Sequence, residues 1–340
     1  MKMRHWFLVI SFCLFLNPAF ASVPYTLEGC VNIDGGSTLF HTADGRVFKL
    51  DMNLDQAKKY DDKYVIVEGI ARECDEVSVL KVSKITLHDP KIPAPKLESY
   101  KDYQRPTHMV SRNADSIVMD NVRWGFDPKA PGGVKFFWES LTIKPELVEK
   151  VFFIKKPFPP EWLAAHCLMA YTFKPGGLVN AKGQSAKALV LSVEAYQRKD
   201  QNYSLQAGLK KTFGIVWLLA TWDDYSTYAC DLENKKLFAY PVKFTHEQKV
   251  KLIRETMTQA AVDRQGEFYH TVTNNCTNDL VVLFNKVMEK KIRMWLIPSL
   301  IYNLRATMPT LVPSYLIKKG ILEKSLPEIN KTNYFGDLLK

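Results

Sequence analysis

FYHTVTNNCT, residues 268–277, is a polar segment that leads directly into an apolar helical pattern. The apolar residues that follow it at helical spacing are Leu280, Leu283, Phe284 and Val287. Because Asn275 has a helix-capping side chain, the pattern predicts a helix that begins at Cys276. The positive end of the helix dipole lowers a thiol pKa there, so Cys276 is a candidate nucleophile. The alternative is a buried cysteine that acts as a small hydrophobe.

A nucleophilic cysteine needs a base, and His166 is the histidine whose surroundings suit that role best. It lies near the start of an alternating run, residues 165–173, which predicts a rigid strand. Glu194 lies in an apolar run that is predicted to pair with this strand, where orienting His166 would give its carboxylate a partner. The alternatives are a structural role for His166 and an ion pair of Glu194 with Arg198 or Arg123.

The residues around Cys276 are expected to support the chemistry. The first-turn N–H groups of the predicted helix could receive the oxyanion of a tetrahedral intermediate. Asn274, Asn275 and Thr277 are therefore candidate supporting residues.

The N-terminus has the pattern of a secretory signal peptide over residues 1–21. Lys2 and Arg4 precede the apolar run Trp6–Leu16, and Ala19-Phe20-Ala21 is a small-x-small cleavage site. The alternative is an uncleaved N-terminal anchor. Since no later stretch reaches the length of about 20 apolar residues that a spanning helix needs, we expect the mature chain in the periplasm or cell envelope.

The cysteine count predicts one thiol that stays free. Cys13 would leave with the signal peptide, and the five remaining cysteines are Cys30, Cys74, Cys167, Cys230 and Cys276. An odd number in an oxidising compartment leaves at least one thiol unpaired. Two disulfides and one reactive thiol would satisfy this count. Cys30 and Cys74 lie in different strands and could form one bond, whereas Cys167 and Cys230 are further disulfide candidates whose pairing the sequence leaves open.

The strand pattern divides the mature chain into two domains. Residues 22–88 show the order β-β-β-α-β-β of an OB-like barrel, and residues 89–107 are a Pro- and Lys-rich linker. Residues 108–340 form the second domain. Its strand signals include Ser116–Asn121, Ala165–Phe173, Ala188–Tyr196 and Phe213–Thr221. A short helix is predicted at Pro145–Lys150, and Thr245 begins a later helix with a capping box.

The segments around His166, Glu194 and Cys276 resemble the Lnb N-terminal periplasmic domain family. The resemblance covers roughly residues 108–325, and its most specific element is Asn-Asn-Cys-Thr at 274–277. It implies an α+β fold in which a permuted papain-like (NlpC-type) antiparallel sheet with packed helices follows the OB-like barrel. It also implies a Cys–His thiol enzyme that takes up an acyl group as a thioester. The family's namesake continues into membrane-spanning helices, whereas the apolar runs of this sequence predict none after residue 21.

The expected substrate is an acyl ester or amide, from a phospholipid or lipoprotein, handled by an acyltransferase or hydrolase. The alternatives are a non-catalytic envelope scaffold and a papain-like cell-wall peptidase. The net charge of +10 favours an anionic neighbour, the alternative being a basic surface with no particular partner. The apolar, aromatic segment at 294–302 could contact a membrane surface peripherally or form a helix packed on the domain core. No metal, phosphate or nucleotide motif is present, so we expect no cofactor, no metal and no nucleic-acid partner.

Overall fold

The computed structural model describes most of the chain apart from its ends and several loops. The described residues are 24–34, 36–42, 47–61, 63–72, 78–87, 100–210, 212–264, 267–297 and 301–334. The predicted signal peptide, Cys74 and residues 89–99 of the predicted linker lie outside them. Within this part of the chain, no helix is long and apolar enough to cross a membrane.

The N-terminal part closes into a barrel with the strand order β1-β2-β3-β5-β4. The strands are β1 (Pro24–Asp34), β2 (Ser37–Thr42), β3 (Val47–Asp51), β4 (Tyr64–Arg72) and β5 (Ser78–Leu87). Helix α1 (Leu54–Ala57), capped by Asn53, lies between β3 and β4 and continues into a 3-10 turn, Lys58–Tyr60. Inward-facing side chains from each strand, such as Val31, Phe40 and Val65, fill the interior of the barrel. This strand order matches the predicted OB-like barrel.

The second part contains a nine-stranded sheet covered by helices. Its strands are β6 (His108–Arg112), β7 (Ile117–Asp127), β8 (Lys135–Ile143), β9 (Val148–Pro157), β10 (Ala165–Phe173), β11 (Leu178–Asn180), β12 (Ala188–Tyr196), β13 (Gly214–Thr221) and β14 (Phe238–Pro241). The order is β11-β8-β7-β13-β12-β10-β9-β14, with β6 paired to β7. The α+β prediction is confirmed. One pair departs from the antiparallel prediction, since β13 runs parallel to β7 at Ala220 and Arg123.

Six helices accompany the sheet in the described residues. They are α2 (Leu205–Gly208), α3 (Trp222–Thr227), α4 (His246–Ala260), α5 (Cys276–Val287), α6 (Leu304–Thr307) and α7 (Val312–Lys318). A π-helical turn, Tyr228–Leu232, continues α3. The predicted capping box of α4 is present, because Thr245 and Gln248 exchange side-chain and backbone hydrogen bonds.

Strand β10 is buried on both faces, and the two faces meet different elements. Cys167, Met169 and Tyr171 belong to the core that also contains residues of α4 and α5. Leu168 and Ala170 belong to a second cluster with residues of α3. Side chains of a strand alternate between faces, so His166 is on the side of the second cluster.

The segment proposed for peripheral membrane contact forms short strands. Two pieces, β15 (Trp295–Ile297) and β16 (Ile301–Tyr302), pair with each other. Residues 298–300 between them lie outside the described residues.

Candidate active site

Cys276 is the first residue of α5, as the sequence predicted. The cap is Asn275, whose side-chain oxygen accepts hydrogen bonds from the backbone N–H groups of Thr277 (2.8 Å) and Asn278 (3.2 Å). Its side-chain amide donates to the Thr271 carbonyl oxygen at 2.7 Å. These bonds fix the helix start, but they also occupy two of the N–H groups that were expected to bind an oxyanion.

The Cys276 thiol lies where the pairing of two central strands ends. Strands β10 and β12 pair from Thr172 and Ala188 to Leu168 and Ser192. The next amide along β10, that of Cys167, donates to Cys276 Sγ at 3.4 Å. The sulfur is therefore anchored to the residue that directly follows His166.

Burial changes the chemistry expected of this thiol. Cys276 is 1% exposed. Burial raises the pKa of the Cys276 thiol, and hydrogen bonds from the Cys167 amide, Thr277 and Tyr269 offset this only in part. The expectation of a lowered thiol pKa is wrong for this structure, because desolvation outweighs the hydrogen bonds that favour the thiolate. The thiol is neutral at pH 7.

A continuous hydrogen-bonded chain connects His166 to Glu194 through Ser192. His166 Nε2 lies 2.7 Å from Ser192 Oγ, and Ser192 Oγ donates to Glu194 Oε1 at 2.7 Å. The second carboxylate oxygen of Glu194 accepts from the Gln104 side chain at 2.8 Å. All four residues lie at the end of the sheet where β10 and β12 separate.

The structure also decides how Glu194 is paired. The Arg123 side chain forms a buried ion pair with Asp224, with 2.5 Å between Nε and Oδ2. Arg198 instead contacts Asp200 at 3.4 Å. Both arginines that could have formed an ion pair with Glu194 therefore pair with other carboxylates.

The protonation states of His166 and Glu194 follow from their surroundings. Burial lowers the pKa of His166 to about 4, with Lys156 adding to the shift and Glu194 opposing it. Burial by itself would raise the pKa of Glu194. The neighbouring His166 and Lys156, with hydrogen bonds from Gln104 and Ser192, lower it overall. At pH 7 the imidazole is neutral and the carboxylate is ionised.

His166 and Cys276 are close in the fold without being bonded to each other. Among the contacts of the described residues, no hydrogen bond joins Cys276 Sγ to the imidazole. The ring lies on the β10 face of Leu168 and Ala170, whereas Cys276 packs in the core of Cys167 and Met169. The two residues thus lie at the same end of β10, and the His166 ring is hydrogen-bonded to Ser192.

A cavity of about 520 Å³ lies at this end of the sheet. Its polar lining includes His166, Glu194, Gln104 and Asn275. Its apolar lining includes Phe158, Leu163, Tyr203, Leu205, Val272 and Met308. Tyr269, which hydrogen-bonds the Cys276 thiol, also lines it. The His166 imidazole and the Tyr269 side chain, which lies against the Cys276 thiol, therefore line the same cavity.

Asn274 and Thr277 hold the loop and the sulfur in place. The Asn274 side chain donates to Glu267 Oε1 at 3.0 Å and to the Phe268 carbonyl oxygen at 2.9 Å. The Thr277 hydroxyl contacts Cys276 Sγ at 3.9 Å. Both residues are buried, and neither lines the cavity.

The predicted disulfides are not present among the described cysteines. Cys30, Cys167, Cys230 and Cys276 are all free and buried. Cys167 and Cys230 belong to clusters on opposite faces of the sheet, so these two candidates do not bond to each other. The proposed partner of Cys30, Cys74, lies outside the described residues.

Two residues of the site were missed by the sequence analysis. Ser192 shares a strand face with Glu194, two residues away, and this spacing could have identified it. Gln104 lies in the predicted linker, yet it is 1% exposed and its side chain donates a hydrogen bond to the Glu194 carboxylate. Its role depends on a contact 90 residues away in the chain, which leaves no local signal. Within the described residues, no cluster of three or more His, Cys, Asp or Glu side chains could hold a metal.

The region that contains this site matches a known protein family. Residues 137–308 match the family described as the Lnb N-terminal periplasmic domain. The chain belongs to this family. His166, Glu194 and Cys276 all lie inside the matched range, and membership supports an exported protein of the cell envelope.

The barrel has a match of its own. Residues 28–88 match a family described as a protein of unknown function. No curated protein and no solved structure matches the chain.

Proposed function

We propose that this Lnb-type envelope protein is a thiol acyltransferase or hydrolase that acts on an acyl ester or amide. Cys276 is the nucleophile and His166 the base. One observation carries the proposal. The Cys276 thiol is fixed to the end of β10, one residue from His166, behind the wall of a cavity that the imidazole lines.

The neutral state of both groups defines the mechanism. The thiol cannot attack as a preformed thiolate, so its proton passes to His166 as sulfur bonds to the acyl carbon. The carbon–oxygen or carbon–nitrogen bond of the substrate then breaks, and His166 returns the proton to the leaving group. An amine, an alcohol or water next attacks the thioester and restores the thiol. The attack requires a ring nitrogen of His166 to come within about 3 Å of the sulfur, so the thiol and the ring must approach each other while Nε2 keeps its hydrogen bond to Ser192.

The cavity suits an acyl chain. Its volume is about 520 Å³, and its wall combines aromatic and aliphatic side chains with a few polar groups at one end, as in many small-molecule sites. A lipid or lipoprotein acyl group would place its chain against Phe158, Leu163 and Met308. The carbonyl would then lie near His166 and Asn275.

Turnover of a p-nitrophenyl ester of a medium-chain fatty acid tests the proposal. Cys276→Ala should abolish turnover, and His166→Asn should lower kcat by about 10²-fold or more, since a general base contributes on that scale. Cys230→Ala is the matched control, because it removes a buried thiol on the other face of the sheet. Cys276→Ala turning over the ester at the wild-type rate would refute the assignment.

A second candidate function is binding of an acyl chain without chemistry. The observation that favours it is the buried, neutral thiol, which makes no hydrogen bond to His166 in the described structure. A protein of this kind would bind a fluorescent fatty acid in the cavity with equal affinity in wild type and Cys276→Ala, and it would turn over no ester.

A further inference from the structure

We infer that Ser192 is a positioning residue that sets the tautomer of His166, so that Nδ1 is the nitrogen that receives the proton of the thiol. This inference rests on the proposed function of His166. It adds a residue and an atom that the functional assignment does not specify.

The tautomer follows from counting donors and acceptors along the chain. An ionised Glu194 only accepts hydrogen bonds, so the single hydroxyl hydrogen of Ser192 points to Glu194 Oε1, 2.7 Å from Oγ. Ser192 Oγ can then only accept from His166 Nε2, at 2.7 Å. Nε2 therefore carries the ring proton, and a neutral imidazole with its proton on Nε2 has its lone pair on Nδ1.

The surroundings leave Nδ1 available as the base. Among the described residues, His166 hydrogen-bonds through Nε2 alone, and its ring lines the cavity. Ser192 is fully buried, so water does not compete for its hydroxyl. Gln104 Nε2 donates to the other oxygen of Glu194 at 2.8 Å, which fixes the carboxylate that orients Ser192.

The same chain stabilises the charged ring during the reaction. When Nδ1 accepts the proton from the Cys276 thiol, the imidazole becomes a cation with both nitrogens protonated. The Nε2–H group continues to donate to Ser192, whose hydroxyl donates to the Glu194 carboxylate. The Glu194 charge thus acts on His166 through Ser192, and the proton stays on the ring until the leaving group takes it.

Nuclear magnetic resonance of protein labelled with ¹⁵N-histidine tests the inference. The ¹⁵N shifts of the His166 ring at pH 7 should report a proton on Nε2 in the wild type. In Ser192→Ala they should move toward a mixture of tautomers, and Ser192→Thr, which keeps the hydroxyl, should restore the wild-type pattern. A proton on Nδ1 in the wild type, or unchanged shifts in Ser192→Ala, would overturn it.

Kinetics supply the second readout. Ser192→Ala should lower kcat for the p-nitrophenyl ester by about 10-fold to 10²-fold, part of the contribution of a general base, with KM unchanged. An unchanged kcat in Ser192→Ala would overturn the positioning role. The tautomer measurement does not depend on turnover, so it decides the assignment of Nε2 even if Cys276→Ala shows that the proposed reaction is wrong.

Discussion

At the scale of single residues, His166 links protonation to folding. Its pKa is lowered to about 4 by burial, whereas an unfolded histidine titrates near 6.5. Between these values the unfolded chain binds a proton that the folded chain does not bind. The free energy of unfolding therefore rises with pH across this window and falls when the pH is lowered from about 6.5 to about 4.

This linkage predicts a pH-dependent stability that a single substitution removes. Lowering the pH from 7 to 4.5 should destabilise the wild type by up to about 3 kcal/mol through His166. His166→Asn should lose that part of the dependence. Urea unfolding of both proteins at the two pH values measures this change in the free energy of unfolding. Equal pH dependence in both proteins would mean that His166 is not buried in its neutral form.

The surroundings of the thiol show why the site residues could be predicted from the sequence, whereas their protonation states and hydrogen bonds could not. The sequence places Cys276 at a helix start, His166 on a strand and Glu194 on the neighbouring strand, and all three positions are found. The thiol pKa depends on desolvation by side chains from distant segments, which no local pattern records. The Ser192 bridge depends on the separation of β10 from β12, which is a property of the packed sheet.

At the scale of secondary-structure elements, two helix caps offer a comparison. Asn275 caps α5 beside the cavity, and Thr245 caps α4 away from it. An N-cap side chain contributes about 1 kcal/mol to stability. Thr245→Ala should therefore lower the free energy of unfolding by about this amount, and Asn275→Ala by more, because the Asn275 side chain also donates to the Thr271 carbonyl oxygen.

Their effects on activity should differ. Asn275→Ala releases the helix start that holds Cys276 and should lower ester turnover, whereas Thr245→Ala should leave it unchanged. Thermal unfolding and turnover, measured on the same samples, separate the two effects. Equal turnover in the two variants would contradict a role for the Asn275 cap in placing the thiol.

Most strand positions could be predicted because alternation and apolar runs are local signals. The bounds of β10 and β12 agree with the sequence pattern. The strand signal in the part of the sequence that forms β7 covers only Ser116–Asn121. In the structure Asn121 adopts a positive φ of 57° within a register shift, and the strand continues to Asp127. The helix expected at Pro145–Lys150 is shortened to a 3-10 turn because Val148 pairs with Phe173 of β10.

At the scale of the whole molecule, the barrel contacts the segment that leads to Cys276. Arg264 Nη1 lies 3.7 Å from Cys30 Sγ in the barrel and 2.8 Å from Glu267 Oε2. Glu267 in turn accepts from Asn274, two residues before the thiol. The strand pattern of the sequence separates the barrel from the second domain. It could not predict this buried contact, because the residues are more than 200 positions apart.

The central claim is that Cys276 carries the acyl group during the reaction. Intact-mass measurement after brief exposure of the full chain to the p-nitrophenyl ester tests it most directly. We expect a mass increase of one acyl group, mapped to Cys276, sensitive to hydroxylamine and absent in Cys276→Ala. A protein that turns over the ester without this adduct, or with the acyl group on another residue that Cys276→Ala leaves in place, would contradict it.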